Sequence, residues 1–300
     1  MITDFPVFKL LESEDKLELE KVADFSHYSD INFTSLYIWD TKGILSVAKL
    51  YNNIVVQFSD YQTGEPFFSI FGQNNISKAV EDLMAYLHEN NVPLKLKLVP
   101  EETAKLVDKQ RYMVIEDPDN FDHIFSVRDL LMMHGGKYRD KRNLINKLNN
   151  KLKDTLETRL LDFDTDKKFT DECLELFKKW QATKKGVFYE NEYMALKKFL
   201  NMKKSQSRFI NVAVYIKGEL NGLTINEKIN SDYVIGHFCK ALTNNSGIYP
   251  YLMHKTAYYL DTFGFSFINA EQDLGLDGLR RFKSDYGSNF YLKKYLVQPL

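Results

Sequence analysis

The stretch from residue 209 to residue 270, FINVAVYIKGELNGLTINEKINSDYVIGHFCKALTNNSGIYPYLMHKTAYYLDTFGFSFINA, decides the fold of this chain. Three runs rich in apolar and β-branched residues are separated by short polar turns, which predicts a meander of three strands. A helical pattern and one further strand complete the stretch. The predicted elements are strands Phe209–Ile216, Gly222–Ile229 and Asp232–Leu242, helix Tyr249–Phe263 and strand Phe265–Ala270. This mixture indicates an α+β (α/β) fold.

The elements around this stretch predict how the chain is organised. A strand and two helices precede the meander and a helix and a strand end the chain, at Thr158–Phe163, Phe169–Thr183, Asn191–Met202, Leu276–Tyr286 and Phe290–Leu296. This is the element order of a GNAT-type acyltransferase, and the first part of the chain gives a thinner version of it. We therefore predict tandem duplicated GNAT-like lobes, each a mixed, mostly antiparallel sheet flanked by helices. The predicted ranges are 1–125 for the N-terminal lobe, 126–153 for a helical basic connector and 154–300 for the C-terminal lobe that carries the site.

Four details of the first lobe can be tested against a structure. The apolar spacing of Asp15–Ser26 and of Lys78–Glu89 predicts two helices, with Ser77 as the N-cap of the second. Asn52-Asn53 is predicted to form a tight hairpin turn. Residues 28–39 carry four aromatic side chains among polar ones, and we interpret them as a loop that either anchors on the core or offers a stacking surface.

Composition limits the class of protein. The chain has 300 residues, of which 44% are apolar and 14% aromatic, enough for two packed cores. Its two cysteines are far apart, which indicates a reducing compartment. The N-terminus lacks the pattern of a signal peptide, and no apolar run approaches the ~20 residues that span a bilayer. We expect a soluble, cytoplasmic protein with at most peripheral membrane contact.

Charge is distributed unevenly along the chain. Residues 1–136 contain 12 Lys and Arg against 22 Asp and Glu, whereas residues 137–300 contain 28 against 19. The two halves either complement each other, or the second half binds an anionic ligand such as a nucleotide, CoA or tRNA.

Two segments could bind such a ligand. The junction before the Tyr249 helix offers backbone N–H groups for the phosphates of a donor, and Ser246 offers an N-cap hydroxyl. The predicted donor-binding residues there are Asn244, Asn245, Ser246, Gly247 and Ile248. An ordinary strand-to-helix turn would look the same.

The second segment is the helix predicted at Lys137–Lys153, which carries seven basic residues and one acid. Arginine and asparagine side chains suit phosphate or carboxylate groups. The predicted substrate-binding residues here are Arg139, Lys141, Arg142 and Asn143. The alternative is a solvated linker helix.

Polar residues after the Phe265–Ala270 strand could carry the chemistry, because open α/β sheets place sites at the ends of strands. Glu271 or Asp273 could orient or deprotonate an amine, and Arg280 and Lys283 could hold a donor's anionic group. Asn269 and Tyr286 are the remaining predicted substrate-binding residues. A structural salt-bridge network is the alternative.

The histidines have no metal-ligand spacing, so no metal site is predicted. His237, on a predicted core strand, is interpreted as a satisfied core residue rather than as a base.

Three segments together resemble a known family. They are DINFTSLYIW (30–39), GKYRDKRNLIN (136–146) and EQDLGLDGLRRFKSDY (271–286), and they occur in the family's order. The family is grouped with the soluble C-terminal domain of phosphatidylglycerol lysyltransferase. The resemblance implies a tandem GNAT-type fold related to the Fem-type transferases. It matches Lys141, Arg142 and Asn143 to the family's basic motif, and Glu271, Asp273, Arg280 and Lys283 to its C-terminal motif. Gly287-Ser288 departs from the proline that many members have.

The sequence therefore predicts an acyl or aminoacyl transferase without a permanently bound cofactor. It would move an acyl group from acyl-CoA or aminoacyl-tRNA to an amine or hydroxyl acceptor, so tRNA is a possible partner and DNA is not expected. The alternative is a non-catalytic GNAT-fold protein that binds a small ligand or acts as a scaffold. A cleft plugged by Phe188, Tyr189 or Tyr249 would favour that alternative.

Overall fold

The computed structural model of the chain describes residues 1–22, 27–60, 63–163, 168–183, 187–202 and 208–300. They form two compact units, and two seven-stranded mixed sheets are present, which confirms the predicted α+β class. Unit 1 comprises Met1–Asp122, Gln272–Gly275 and Tyr291–Leu300, and unit 2 comprises His123–Glu271 and Leu276–Phe290. The predicted lobes were contiguous ranges, whereas unit 1 also includes the last strand of the chain and the segment Gln272–Gly275, which interrupts unit 2.

The following bounds cover the described ranges. The strands are β1 (Lys9–Leu10), β2 (Ser46–Leu50), β3 (Asn53–Ser59), β4 (Pro66–Phe71), β5 (Leu96–Pro100), β6 (Tyr112–Glu116), β7 (Asp122–Ser126), β8 (Leu156–Leu161), β9 (Phe209–Ile216), β10 (Glu219–Lys228), β11 (Tyr233–Ala241), β12 (Phe267–Asn269), β13 (Phe290–Leu292) and β14 (Lys294–Pro299). The α-helices are α1 (Lys16–Val22), α2 (Phe33–Trp39), α3 (Ile76–Glu89), α4 (Glu101–Ala104), α5 (Val127–Met132), α6 (Arg139–Leu152), α7 (Phe169–Gln181), α8 (Val187–Asn201), α9 (Ile248–Thr262) and α10 (Asp277–Tyr286). Within these ranges, none of the helices has the length and apolar character needed to cross a membrane.

The sheet of unit 1 has the order β1-β2-β3-β4-β5-β14-β6. Helix α3 packs its apolar face on this sheet, with Val80 and Leu83 fully buried. The C-terminal strand β14 pairs antiparallel with both β5 and β6. Its first residue, Lys294, is buried and forms ion pairs with Asp30 and Asp122, so opposite charges tether the end of the chain inside unit 1.

Three expectations for the first lobe were wrong. The segment interpreted as a loop contains α2, because Asn32 caps the helix by accepting from the Ser35 amide at 3.2 Å and Leu36 is buried. The N-cap of α3 is Asn75, and Ser77 lies inside the helix, where its hydroxyl donates to the Leu106 carbonyl.

The third error is a shift of one residue. The hairpin turn is Tyr51-Asn52, whose φ angles of 51° and 60° match a type I′ turn, and Asn53 already belongs to β3. Helix α1 ends at Val22, and residues 23–26 of the predicted helix Asp15–Ser26 lie outside the described residues.

The sheet of unit 2 has the order β13-β7-β12-β11-β10-β9-β8 and contains the predicted meander as β9, β10 and β11. Phe238 on β11 contacts Phe177 of α7 and Phe199 of α8, whereas the next residue, Cys239, contacts Met253 of α9. Because neighbouring side chains of a strand point to opposite faces, α7 and α8 cover one face of the sheet and α9 covers the other.

A fork opens between two parallel strands of this sheet. Strand β12 pairs with β11 only from Tyr233 to Ile235, at the start of β11. The chain leaves β12 after Asn269, while β11 continues to Ala241 and then turns into α9. The end of β12 and the second half of β11 therefore form the two arms of the fork.

Helix α6 closes over the start of α9. The N-cap of α9 is Gly247, with φ 93°, and a Cβ placed there would lie 2.5 Å from the Leu144 carbonyl oxygen of α6.

We expect Gly247→Ala to lower the free energy of unfolding by about 2 kcal/mol more than Gly264→Ala does. Gly264 has a similar φ of 84° but no atom within 4 Å of the added Cβ, so it controls for backbone strain. Urea denaturation of both variants measures the difference, and equal costs would contradict the close packing of α6 on α9.

Candidate functional site

A β-bulge on β11 determines the geometry of the fork. Asn226 of β10 faces Gly236 and Ile225 faces Phe238, so His237 is an extra residue without a partner position on β10. A bulge changes the direction of the side chain it carries. Here it turns His237 toward the carboxylates of Glu227 and Glu271.

His237 lies between these two carboxylates. Its Nε2 is 2.8 Å from Oε2 of Glu227, and its Nδ1 is 3.5 Å from Oε1 of Glu271. Arg208 forms an ion pair with the other oxygen of Glu227. The side chains of His237 and Glu227 are fully buried, whereas that of Glu271 is 19% exposed. We call Arg208, Glu227, His237 and Glu271 the charge array. Solvent reaches the carboxylate of Glu271, which follows the end of β12.

The charge array keeps His237 protonated. Burial alone would lower the pKa of His237, but the hydrogen bonds to Glu227 and Glu271 outweigh burial and raise the pKa to about 9. A pKa of about 9 makes the ring an imidazolium at neutral pH, with Nε2 hydrogen-bonded to Glu227 and Nδ1 paired with Glu271 as an ion pair at 3.5 Å. The expectation that His237 is a satisfied core residue agrees with its burial, and the structure adds that its ring lies against the Glu271 carboxylate.

The backbone of Glu271 is held on both sides. Its N–H donates to Oδ1 of Asn269 at 2.6 Å, and its carbonyl accepts from the amide of His123 and from Nζ of Lys283 at 2.9 Å. Its φ of 61° is left-handed, a conformation that non-glycine residues adopt mainly where the surroundings impose it. The structure thus brings together three predicted site residues, Asn269, Glu271 and Lys283.

A second charged group lies on the same face, further along β11. Nζ of Lys240 is 2.7 Å from Oε1 of Glu192 and 4.4 Å from the centre of the Trp180 ring. Burial lowers the pKa of Lys240, but Glu192 and Tyr249 outweigh this effect, and the pKa lies above its usual value. Among the described residues, Oε2 of Glu192 finds no hydrogen-bond donor although it is buried. Such an oxygen is costly to bury, and an N–H or O–H of a bound molecule would compensate it.

The predicted donor-binding junction is more closed than the sequence indicated. Gly247, rather than Ser246, is the N-cap of α9, and no side chain caps the helix. Gly247 and Ile248 are buried, and Oδ1 of Asn245 accepts from Lys151 at 3.1 Å. Asn244 and Ser246 are exposed.

The predicted binding residues of α6 divide into two sets. Arg142 donates to the carbonyls of Met133 and Gly135 after α5, and Lys141 donates to the Asp285 carbonyl at the end of α10. These cations stabilise helix C-termini, where free carbonyls and the helix dipole favour positive charge. Arg139 and Asn143 are exposed on the same helix and remain predictions for binding.

The other predicted residues lie in different settings. Tyr286 is buried, and its carbonyl accepts from the Tyr138 hydroxyl at 2.8 Å. Arg280 is exposed on α10. Asp273 belongs to unit 1, where its carboxylate accepts from the Gly275 amide at 2.9 Å. Tyr249 is half-buried and packs edge-on against Phe282 at 5.9 Å, while the side chains of Phe188 and Tyr189 lie outside the described residues.

Sequence reasoning missed four residues at this site. Arg208, Glu227, Glu192 and Lys240 are spread over 49 positions and meet only through the sheet register and the helices above it. The available signal was a charged residue inside each of two predicted core strands, Glu227 and Lys240. Among the described residues, no group of three or more His, Cys, Asp or Glu is arranged to hold a metal ion.

The chain is similar to known proteins in sequence family and in fold. The family model described as phosphatidylglycerol lysyltransferase, C-terminal, matches residues 23–298. No curated protein matches the chain. A crystal structure of a protein of unknown function from Bacteroides thetaiotaomicron is similar at a TM-score of 0.81 and 23% identity over 100% of both chains.

Two further structures are similar in fold. L-PGS from Bacillus licheniformis has a TM-score of 0.63 and 12% identity, covering 99% of this chain and 93% of that one. FemX has a TM-score of 0.53 and 11% identity, covering 98% of this chain and 97% of that one. The comparisons confirm the predicted tandem GNAT-like fold and the resemblance on which it was based.

The charge array predicts a specific dependence of stability on pH. His237 has a folded-state pKa of about 9, above its unfolded value of 6.5, so its contribution is complete below pH 6.5 and is lost as pH rises through about 9. The shift corresponds to at most about 3 kcal/mol.

Urea denaturation from pH 6.5 to 9.5 should show a steeper loss of stability in the native protein than in His237→Gln. The exposed His88→Gln should keep the native slope. Parallel curves for the native protein and His237→Gln would show that His237 is neutral in the folded state.

Proposed function

Because this chain belongs to the family of phosphatidylglycerol lysyltransferase C-terminal domains, we propose that it transfers an aminoacyl group from an activated ester to an amine or hydroxyl acceptor. The family description names a lysyl group as cargo and phosphatidylglycerol as acceptor, and both are the first candidates here. The observation that carries the proposal is Glu271 at the end of a strand: its partly exposed carboxylate lies 3.5 Å from His237, and its backbone is held by Asn269 and Lys283.

Glu271 acts as the general base in this proposal. The acceptor N–H or O–H gives its proton to Glu271 while the acceptor's lone pair attacks the carbonyl carbon of the donor ester. A new C–N or C–O bond forms, the ester C–O bond to the donor breaks, and Glu271 returns the proton to the departing oxygen. The fixed backbone of Glu271 supplies the positioning that such a step requires.

Lys240 provides a positive charge on the same face of the sheet. Its ammonium is nearly buried and its raised pKa keeps it protonated, so it can stabilise the negative charge that develops on the attacked carbonyl. Glu192 holds Lys240 in place at 2.7 Å, and its other oxygen is available for an N–H or O–H of the substrate.

Two features favour an aminoacyl-tRNA donor over acyl-CoA. The Leu144 carbonyl approaches the N-terminus of α9, so the position that a CoA pyrophosphate would need faces a hydrogen-bond acceptor. Exposed basic residues on α6, among them Arg139 and Lys147, suit a polynucleotide backbone. If tRNA binds there, its affinity should fall steeply as salt rises.

The test of the proposal is transfer of labelled lysine from lysyl-tRNA to vesicles that contain phosphatidylglycerol. Glu271→Gln keeps the shape but removes the base, and it should lower the transfer rate by about 10²- to 10⁴-fold. Glu219→Gln, an exposed glutamate at the start of β10, is the matched control and should retain the native rate.

Other donors and acceptors belong in the same experiment. A panel of aminoacyl-tRNAs, acetyl-CoA and longer acyl-CoAs, each with amine and hydroxyl acceptors, covers the donor classes. Equal rates for Glu271→Gln and the native protein would remove Glu271 from the mechanism. If no donor reacts, the result favours the alternative function, a non-catalytic GNAT-fold protein that binds a small ligand.

A further inference from the structure

Unit 1 contains a cavity of about 250 Å³ that plays no part in the proposed transfer. A single water requires only ~15 Å³ by the same kind of measure, so the cavity has room for a small organic molecule. Its charged lining consists of Lys95, Lys97, Asp60, Asp117 and Asp119. The sequence predicted the site in the C-terminal lobe, and none of the predicted site residues lines this cavity.

The backbone around the cavity is irregular in a way that requires support. Tyr295 of β14 faces Val99 and Val297 faces Leu96, so Lys97 and Leu98 together oppose Leu296 alone. This is a β-bulge, and its three residues all line the cavity.

Two leucines of the lining adopt a left-handed conformation. Leu98 and Leu274 each have a φ of 56°, which is uncommon for a residue as large as leucine. Bulges and left-handed non-glycine residues persist where the surrounding structure enforces them, and they are concentrated at ligand sites. The wall of this cavity therefore contains backbone conformations that its surroundings must hold in place.

Among the charged residues of the lining, Lys97 and Asp60 form an ion pair with each other, whereas Lys95 does not form one with the described residues. Lys97 pairs with Asp60 at 3.1 Å and lies 5.1 Å from the centre of the Phe67 ring. Lys95 is half-buried, and among the described residues its Nζ makes no hydrogen bond or ion pair.

Asp117 is the carboxylate that faces the same space. It accepts from Nδ2 of Asn120 at 2.8 Å, and burial raises the pKa of Asp117. The cavity thus offers an ammonium that makes no hydrogen bond or ion pair with the described residues and a partly desolvated carboxylate, and Lys95 lies close enough to favour the charged form of Asp117. A ligand of a single charge would contact one of these groups and weaken its attraction to the other, whereas a ligand with both charges would compensate each group directly.

We propose that this cavity binds a small zwitterion, an α-amino acid whose carboxylate contacts Lys95 and whose ammonium contacts Asp117. The apolar lining from Leu98, Leu274 and Leu296 can accept its side chain. The site is separate from the charge array, since every residue of its lining belongs to unit 1 and all four members of the charge array belong to unit 2.

The test is titration of the ¹⁵N-labelled full chain with free L-alanine, L-serine and L-lysine up to about 10 mM, followed by two-dimensional NMR. Saturable shifts are expected for the amides of Lys97, Leu98, Leu274 and Leu296. N-acetyl-L-alanine lacks the ammonium and L-alaninamide lacks the carboxylate, so each should bind at least about tenfold more weakly than L-alanine.

Two variants locate the ligand. Lys95→Met and Asp117→Asn should each weaken binding by at least about tenfold, whereas Lys109→Met and Asp108→Asn, outside the cavity lining in the same unit, should leave the Kd unchanged. Native-like spectra of the variants establish that they fold.

Three results would overturn the proposal: no shift with any of the amino acids, equal binding of the two blocked derivatives, or binding that both cavity variants retain. Because binding is measured without donor or acceptor, a negative result leaves the proposed transfer reaction untouched.

Discussion

The imidazole of His237 is enclosed in the core of unit 2 with a carboxylate on each side, and the candidate site depends on this contact. A buried cation is tolerated only where opposite charges compensate it, and the charge array alternates Arg208, Glu227, His237 and Glu271 for that reason. The bulge at His237 directs the ring toward both carboxylates. The last member of the array, Glu271, follows the end of its strand, and it is held by this contact and by the hydrogen bonds of its backbone to Asn269, His123 and Lys283.

Each unit uses irregular backbone where its side chains must converge. In unit 2 the bulge at His237 and the left-handed Glu271 lie on the two arms of the fork between β11 and β12. In unit 1 a bulge at Lys97 and Leu98 lines the cavity. Regular strands would alternate these side chains between two faces, so the irregularities bring polar groups together at one place.

The fold was largely predictable from the sequence because the meander and the helix after it have clear periodicity. The missed helix α2 had a readable signal, since Asn32 is a strong N-cap residue before Phe33. Asn269 was predicted from its place at the end of a strand and Glu271 and Lys283 from their place after it, and their roles remain predictions. Glu227, Glu192 and Lys240 could not be predicted. Which of these side chains meet depends on how β10 pairs with β11 and on the bulge at His237, and the local sequence does not encode that pairing.

The most direct measurement is the protonation state of His237, read from ¹⁵N NMR of the histidine-labelled protein at about pH 7.5 and assigned by the signal that His237→Gln loses. The account predicts two protonated ring nitrogens and a titration near pH 9. A neutral ring with one protonated nitrogen at that pH would contradict it, because an uncharged His237 could not hold Glu227 and Glu271 as a pair of carboxylates.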